Sequence, residues 1–201
     1  MKYSIFKQTI SDGIRAFRMS YFTTRRDRFG YIAPSAKIYP PFYGTKENIF
    51  MYDNTKIGED SSILAHKGKF VMKANSRSGM RLTVICQNHS TYNKVGCYPG
   101  DEEWWKEQTA DVIIDEEVWI GHNVTICPGV HIPRGCFIAA GSVCVRSKSV
   151  PPYSIIGGNP ARFIKFKFTI EEQIEHEKIR YPESERLDES LLMDNYIKFR
   201  K

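Results

Sequence analysis

The chain has 201 residues, of which 41% are hydrophobic and 26% are charged, and these proportions exclude a disordered or fibrous protein. Its length allows one sizeable core and disfavours two ordinary domains. The formal net charge is +6, but the dense basic cluster (Arg25, Arg26 and Arg28) lacks the interleaved aromatic residues that stack on bases, so we expect no nucleic-acid partner.

Residues 1–34 are predicted to form a helical or extended N-terminal segment, because Ile5, Ile10, Ile14 and Phe17 recur at loosely helical spacing. No apolar run approaches the ~20 residues that a membrane-spanning helix requires. The first residues also lack an uninterrupted apolar stretch followed by a small-residue cleavage site. These features predict a cytoplasmic protein without a membrane span.

A six-residue repeat begins at Ile114 and dominates the sequence that follows. Isoleucine occupies one position of five successive hexads, and the position four residues later holds a small or aliphatic residue. The isoleucines are Ile114, Ile120, Ile126, Ile132 and Ile138. A period of six fits neither a strand nor a helix, so each hexad is predicted to form one flat side of a three-sided coil.

The three-sided coil predicts where individual residues lie. The isoleucines point inward and stack from turn to turn, and each contributes about 1.5–3 kcal/mol when it is fully buried. We expect Gly121, Asn123, Gly129 and Gly135 to adopt the positive φ angles that the corners need. A weaker repeat over residues 57–65 has the same phase, and the predicted coil domain therefore covers residues 35–166.

Two segments depart from the repeat. Residues 91–110 have no hexad phase and are expected to project as a loop from one face, which in solenoids is often the binding face. Residues 167–201 are charged, with helical phase, and begin with the N-cap candidate Thr169, while Pro182 should divide them into two pieces. We expect this segment to cap the end of the coil, which would otherwise expose its isoleucines and strand edges.

Three motifs resemble the hexapeptide acyltransferases, specifically the galactoside, maltose and xenobiotic O-acetyltransferases. They are Val118-Trp119-Ile120-Gly121, Ala140-Gly141-Ser142, and Val150-Pro151-Pro152 followed by Gly157-Gly158-Asn159-Pro160-Ala161. The resemblance is close over residues 114–166 and loose over residues 45–113. It implies an all-β solenoid, a left-handed parallel β-helix, that forms homotrimers and binds acetyl-CoA between neighbouring subunits.

The resemblance also implies a histidine that deprotonates the acceptor hydroxyl. His89 occupies the corresponding place, and Asn88 beside it is the matching substrate-binding residue. A neutral imidazole, whose ordinary pKa is ~6.5, can accept a proton at neutral pH. The hydroxyl then attacks the thioester directly while a backbone N–H stabilises the oxyanion, and no metal is expected.

For acetyl-CoA, the resemblance implies a backbone contact at Ala140, a place for His122 in the groove, and basic side chains at the phosphates. The basic residues are Lys148, Arg162 and Lys165. The segment before Val150 is longer than the family pattern, so Arg146 competes with Lys148 for one role.

The predicted function is acetyl transfer to a hydroxyl of a sugar or polysaccharide precursor. The acceptor is expected to meet Tyr52, Asp53 and Trp104, of which Trp104 lies on the projecting loop. A sugar N-acetyltransferase or an antibiotic O-acetyltransferase on the same fold is the alternative.

Two further hypotheses belong to other classes. A zinc hydratase of the γ-carbonic-anhydrase type would need three histidine ligands, and the available set is His89, His122 and His131. A non-catalytic trimeric scaffold that binds sugar would use the same coil without the transfer reaction.

Overall fold

The computed structural model describes residues 2–23, 25–89, 95–96, 107–146 and 150–200. The first element is helix α1 (Lys2–Thr23), as the spacing of its isoleucines predicts. Every side chain of α1 from Ile5 to Arg18 is exposed. Within the described ranges, no helix combines the length and the apolar composition needed to cross a membrane.

Short strands follow α1 and supply the walls of the coil. In chain order they are β1 (Tyr31–Ile32), β2 (Lys37–Ile38), β3 (Phe42–Gly44), β4 (Ile49–Met51), β5 (Lys56–Ile57), β6 (Ser61–Leu64), β7 (Phe70–Met72), β8 (Arg77–Ser78), β9 (Thr83–Ile85), β10 (Gln87–His89), β11 (Glu107–Thr109), β12 (Val112–Ile114), β13 (Trp119–Ile120), β14 (Thr125–Ile126), β15 (His131–Ile132), β16 (Phe137–Ile138), β17 (Val143–Cys144), β18 (Ser154–Gly158) and β19 (Ala161–Phe166).

The strands stack into three faces of a prism. Face A contains β1, β4, β7, β12 and β15, and face C contains β3, β6, β9, β14 and β17. Face B contains β2, β5, β8, β13, β16 and β18 in parallel, with β19 added antiparallel at its end. The chain visits faces A, B and C in rotation, and the result is a left-handed parallel β-helix of about 6 turns, which confirms the predicted fold class.

The core consists of inward side chains that stack from turn to turn. The five isoleucines of the repeat lie on faces A, B, C, A and B in succession, and each is 2% exposed or less. Ile120 pairs with Ile138 on the turn above it and with Ser78 on the turn below. The earlier turns place Met51 and Met72 in the corresponding column of face A, which explains why the repeat is weaker there.

The corners between faces use the predicted residues in two different ways. Asn123, Gly129 and Gly135 have φ angles of 55°, 76° and 71°, as expected. The prediction for Gly121 is wrong, because its φ is not positive. A Cβ at Gly121 would instead lie 2.6 Å from the backbone nitrogen of Ala140, so glycine is required there by the close packing of successive turns.

A hairpin interrupts the coil at the C–A edge, the corner where face C turns into face A. Strands β10 and β11 pair antiparallel, with Gln87 opposite Thr109. The hairpin leaves the coil after Cys86 and rejoins it at Ala110, whose backbone N–H donates to the Cys86 carbonyl over 3.1 Å. Paired strands therefore hold the base of the predicted loop, and residues 91–106, apart from 95 and 96, lie outside the described residues.

The end of the chain forms two helices, α2 (Ile170–Arg180) and α3 (Glu189–Phe199). Thr169 caps α2 as predicted, and it exchanges hydrogen bonds with Glu172 in a capping box. Glu177 of α2 is buried, and its carboxylate accepts a hydrogen bond of 2.9 Å from the Arg134 guanidinium of the coil. This partly buried ion pair joins α2 to the last turns.

Candidate active site

His89 is the last residue of β10, at the base of the hairpin. Its backbone lies opposite Glu107 across the antiparallel pair, and its side chain lies outside the described part of the structure. Asn88 precedes it, is exposed and lies opposite Gln108. The predicted base therefore belongs to a projecting element rather than to a wall of the coil.

His122 and Ala140 lie one turn apart at the B–C edge, where face B turns into face C. The N–H of Gly141 donates to the His122 carbonyl over 2.8 Å, which ties the two turns together. The Nδ1 atom of His122 accepts a hydrogen bond of 3.1 Å from the Met80 backbone N–H. In the neutral ring the hydrogen is consequently on Nε2, where it is available to a ligand.

A groove of about 310 Å³ runs along face B beside this edge, and His122 contributes to its lining. The Trp119 indole, 45% exposed, forms part of the wall. Lys56 and Arg77 occupy the same outward column on the two turns below Trp119. Aromatic and basic groups along one groove suit a ligand that has both apolar and phosphate parts.

Lys56 and Arg77 are groove residues that sequence reasoning missed. The signal is present in the sequence, because Arg77 directly precedes the inward Ser78 just as Trp119 precedes the inward Ile120. Because the inward residue at position 78 is a serine instead of an aliphatic residue, this signal is weak and the repeat is hard to recognise below Trp119.

Arg162 and Lys165 lie on β19, and both side chains are exposed. Lys165 pairs with Ile155, whose column continues down face B to Trp119. The outward column of face B thus has a cation at its C-terminal end and a second cation, Arg77, below the indole. This arrangement places positive charge on both sides of the aromatic part of the face.

The structure describes only one of the two cations, Arg146 and Lys148, that compete for the same role at the phosphates. Lys148 lies outside the described residues. Arg146 lies at the C–A edge, where its Cδ atom would stand 3.0 Å from a Cβ built on Gly129. Arg146 therefore belongs to the edge that carries the hairpin, whereas Arg162 and Lys165 lie on β19 at the end of face B.

Tyr52 and Asp53 follow β4 at the A–B edge, where face A turns into face B. Tyr52 is exposed, and its ring packs against Tyr31 with 5.2 Å between centroids. The Asp53 carboxylate accepts a hydrogen bond of 2.8 Å from the Ser35 hydroxyl. Trp104, the third residue predicted to meet the acceptor, lies outside the described residues.

The predicted site residues consequently occupy all three edges of the prism. His89 extends from the C–A edge, Ala140 lies with His122 at the B–C edge, and Tyr52 lies at the A–B edge. One face separates neighbouring edges, and about five extended residues across it span roughly 15 Å. Among the predicted site residues that the structure describes, one chain brings His122 and Ala140 together at the B–C edge and Arg162 and Lys165 together on β19.

The histidines of the zinc hypothesis are also separated. Among the residues whose side chains are described, no three His, Cys, Asp or Glu side chains group closely enough to hold a metal ion. The Nε2 atom of His131 lies 2.7 Å from an Asp115 carboxylate oxygen. Burial opposes ionisation of Asp115, but hydrogen bonds from His131 and Lys73 outweigh it and hold the pKa of Asp115 below its ordinary value.

Comparison of the sequence with known proteins finds matches over the coil. The family model described as bacterial transferase hexapeptide (six repeats) matches residues 111–146. A probable macrolide acetyltransferase of Lysinibacillus sphaericus is 58% identical over 135 residues, which cover 63% of this chain and 67% of that protein.

Solved structures share the same architecture. A hexapeptide-repeat-containing acetyltransferase from Vibrio cholerae O1 biovar eltor, in complex with acetyl-CoA, has a TM-score of 0.62 and 26% identity over 72% of this chain and 74% of that chain. A maltose O-acetyltransferase from Clostridium difficile 630 has a TM-score of 0.60 and 26% identity over 72% of this chain and 73% of that chain.

Proposed function

Because the chain belongs to the hexapeptide-repeat acetyltransferases, we propose that it transfers an acetyl group from acetyl-CoA to an acceptor hydroxyl with His89 as the general base. The observation that carries the proposal is the position of His89 on a hairpin beside a coil whose relative binds acetyl-CoA. Antiparallel pairing with β11 holds the backbone of His89 at that position.

The reaction needs one proton acceptor and one oxyanion site. The His89 imidazole takes the proton of the hydroxyl as its oxygen attacks the thioester carbon, and a backbone N–H stabilises the negative charge on the thioester oxygen. The C–S bond then breaks, the ester is released, and the CoA thiolate takes up the proton. A positioned base contributes roughly 10² to 10⁴ in rate.

The acetyl-CoA groove uses the B–C edge and face B. Ala140 offers its backbone to the pantetheine arm, and His122 donates a hydrogen bond from Nε2. Arg162 and Lys165 at the end of face B contact the phosphates, because both are exposed and cationic. Trp119 packs against an apolar part of the same ligand.

The complete site is formed by two copies of the chain. His89 and Ala140 lie on edges that are one face apart, so one groove includes both only when the C–A edge of one copy packs against the B–C edge of the next. Such a contact is head-to-tail and closes into a ring, for which the homotrimer expected from the sequence is the three-sided solution.

Two classes of acceptor fit a hydroxyl-directed base. The sequence predicts a sugar or polysaccharide precursor, and the fold is shared with a maltose O-acetyltransferase. The second candidate is a macrolide hydroxyl, which the 58% identity to a probable macrolide acetyltransferase favours over the sugar. Release of CoA thiol in the presence of maltose or of a macrolide distinguishes the two classes.

The role of His89 is tested by comparing His89→Ala with His66→Ala. His66 is an exposed histidine on the same C–A edge, one turn before the hairpin, so it controls for the loss of an imidazole there. His89→Ala should lower kcat by about 10² to 10⁴ without changing the KM for acetyl-CoA, and His66→Ala should behave like the wild type. Full turnover by His89→Ala would reject the proposal.

A further inference from the structure

Helix α1 has an apolar stripe that the described part of the chain leaves exposed. Phe6, Ile10, Ile14, Phe17 and Tyr21 are spaced by three or four residues, so they lie on one face of the helix. Their exposed fractions range from 48% to 67%. The rings of Phe17 and Tyr21 stack with 5.8 Å between centroids, which makes that end of the stripe a continuous apolar surface.

Basic side chains border this stripe. Lys7, Arg15 and Arg18 line a shallow groove together with Ile10 and Ile14. The first 28 residues hold seven Lys or Arg and two Asp, a balance of +5, whereas the whole chain carries +6. Nearly all of the net charge therefore lies on α1 and in the few residues after it.

An exposed apolar face with cationic flanks is the pattern of a helix that lies in the interface of an anionic membrane. We propose that α1 docks the protein onto an anionic lipid bilayer surface. Phe6, Phe17 and Tyr21 enter the headgroup region, where aromatic side chains are favoured, and Lys7 and Arg18 contact lipid phosphates. This binding is separate from acetyl transfer and does not depend on the reaction proposed above.

A second copy of the chain is the competing occupant of the stripe. Two α1 helices packed along their stripes would bring their basic flanks together, and like charges repel. An anionic surface attracts the same charges and strengthens binding by about fivefold for each Lys or Arg near it.

Flotation of the full-length protein with vesicles tests the proposal. The wild type should bind vesicles of phosphatidylcholine with about 30% phosphatidylglycerol, bind pure phosphatidylcholine weakly, and lose affinity as salt is raised. Phe17→Glu should weaken binding by at least about tenfold. The control Gln8→Glu adds the same charge on the opposite side of the helix, about one Debye length away, and should change binding by less than about twofold.

The double variant Lys7→Gln/Arg18→Gln keeps the stripe and should weaken binding by about fivefold for each charge removed. Circular dichroism and CoA thiol release with a water-soluble acceptor establish that each variant is folded, and a failure of thiol release in the wild type would bear on the reaction rather than on docking. Equal binding of wild type and Phe17→Glu overturns the proposal. Failure of the wild type to bind anionic vesicles also overturns it. If Phe17→Glu in addition has a lower molecular mass than the wild type in sedimentation, the stripe joins copies of the chain instead.

Discussion

The division of the proposed site between two copies predicts that two inactive variants restore activity when they are mixed. His89→Ala removes the base at the C–A edge. Ala140→Glu places a bulky carboxylate at the B–C edge, against the pantetheine arm. Ala140 is exposed, so the substitution should cost no more than about 0.5 kcal/mol of stability.

The expected gain in activity follows from how the two edges combine in each site. In the proposed arrangement, each site takes its C–A edge from one chain and its B–C edge from a neighbour. In rings assembled at random from equal amounts of the two variants, half of the sites have an intact C–A edge and half of those face an intact B–C edge, so about a quarter of the sites are whole. If each parent retains at most about one hundredth of wild-type turnover, the mixture should exceed either parent by at least about 25-fold.

The assay is thiol release after the two variants are unfolded and refolded together. Variants that are refolded separately and then combined should remain inactive, and wild type carried through the same steps measures the recovery. The matched control mixes the double variant His89→Ala/Ala140→Glu with wild type, so that whole sites form wherever two wild-type chains are neighbours. If the co-refolded variants stay at the level of their parents while wild type recovers, both edges act within one chain and the division is wrong.

Two further predictions concern stability and can be measured by urea unfolding. Ile120→Ala should lower the free energy of unfolding by about 2–5 kcal/mol, because the side chain is fully buried in its column and its removal leaves a cavity; a cost below about 1 kcal/mol would contradict the stacked core. Glu117→Gln should cost about 1–3 kcal/mol at neutral pH, because that carboxylate accepts hydrogen bonds from His176 (2.7 Å) and Arg180 (3.0 Å). Burial raises the pKa of Glu117, but these hydrogen bonds outweigh burial, and the net effect lowers the pKa from 4.5. The stabilisation by the Glu117 carboxylate is therefore complete above pH ~4.5 and is lost as the pH falls through the lowered pKa. Wild type and Glu117→Gln should converge in stability at that low pH.

The coil could be predicted from the sequence because its geometry is written directly into the spacing of residues. Each isoleucine of the repeat fills the interior of one face, and a fixed interval of six residues carries the chain to the next face. The earlier turns obey the same geometry, but Met51, Met72 and Ser78 fill the inward positions. Different side chains can fill the same inward positions of the core. The earlier turns therefore keep the geometry without the repeated isoleucine, and the repeat is harder to recognise in their sequence.

The site was harder to predict because the sequence does not state which requirement a residue meets. Gly121 illustrates the difficulty, since a positive φ and a close approach of backbones both demand glycine, and only coordinates tell them apart. The edge of the prism at which His89 lies is equally hard to predict from the sequence. Residues 91–110, which separate it from the repeat, have no hexad phase, and the pairing of β10 with β11 shows where the chain leaves the coil.

The convex shape of a three-sided prism explains why the proposed site needs both a projecting hairpin and a second copy. The strands of its walls are mostly two to four residues long, so each face is narrow and its outward side chains diverge at the edges. The groove along face B is open on one side, while an acyl-transfer site must surround a thioester and exclude competing water. Elements that stand beside a face can supply further walls, and those that the structure describes are the hairpin at the C–A edge, α1 at the first turns, and the strand and helices that follow β18. Of these, the hairpin carries His89 at its base, and in the proposed site this base packs against the B–C edge of an adjacent prism.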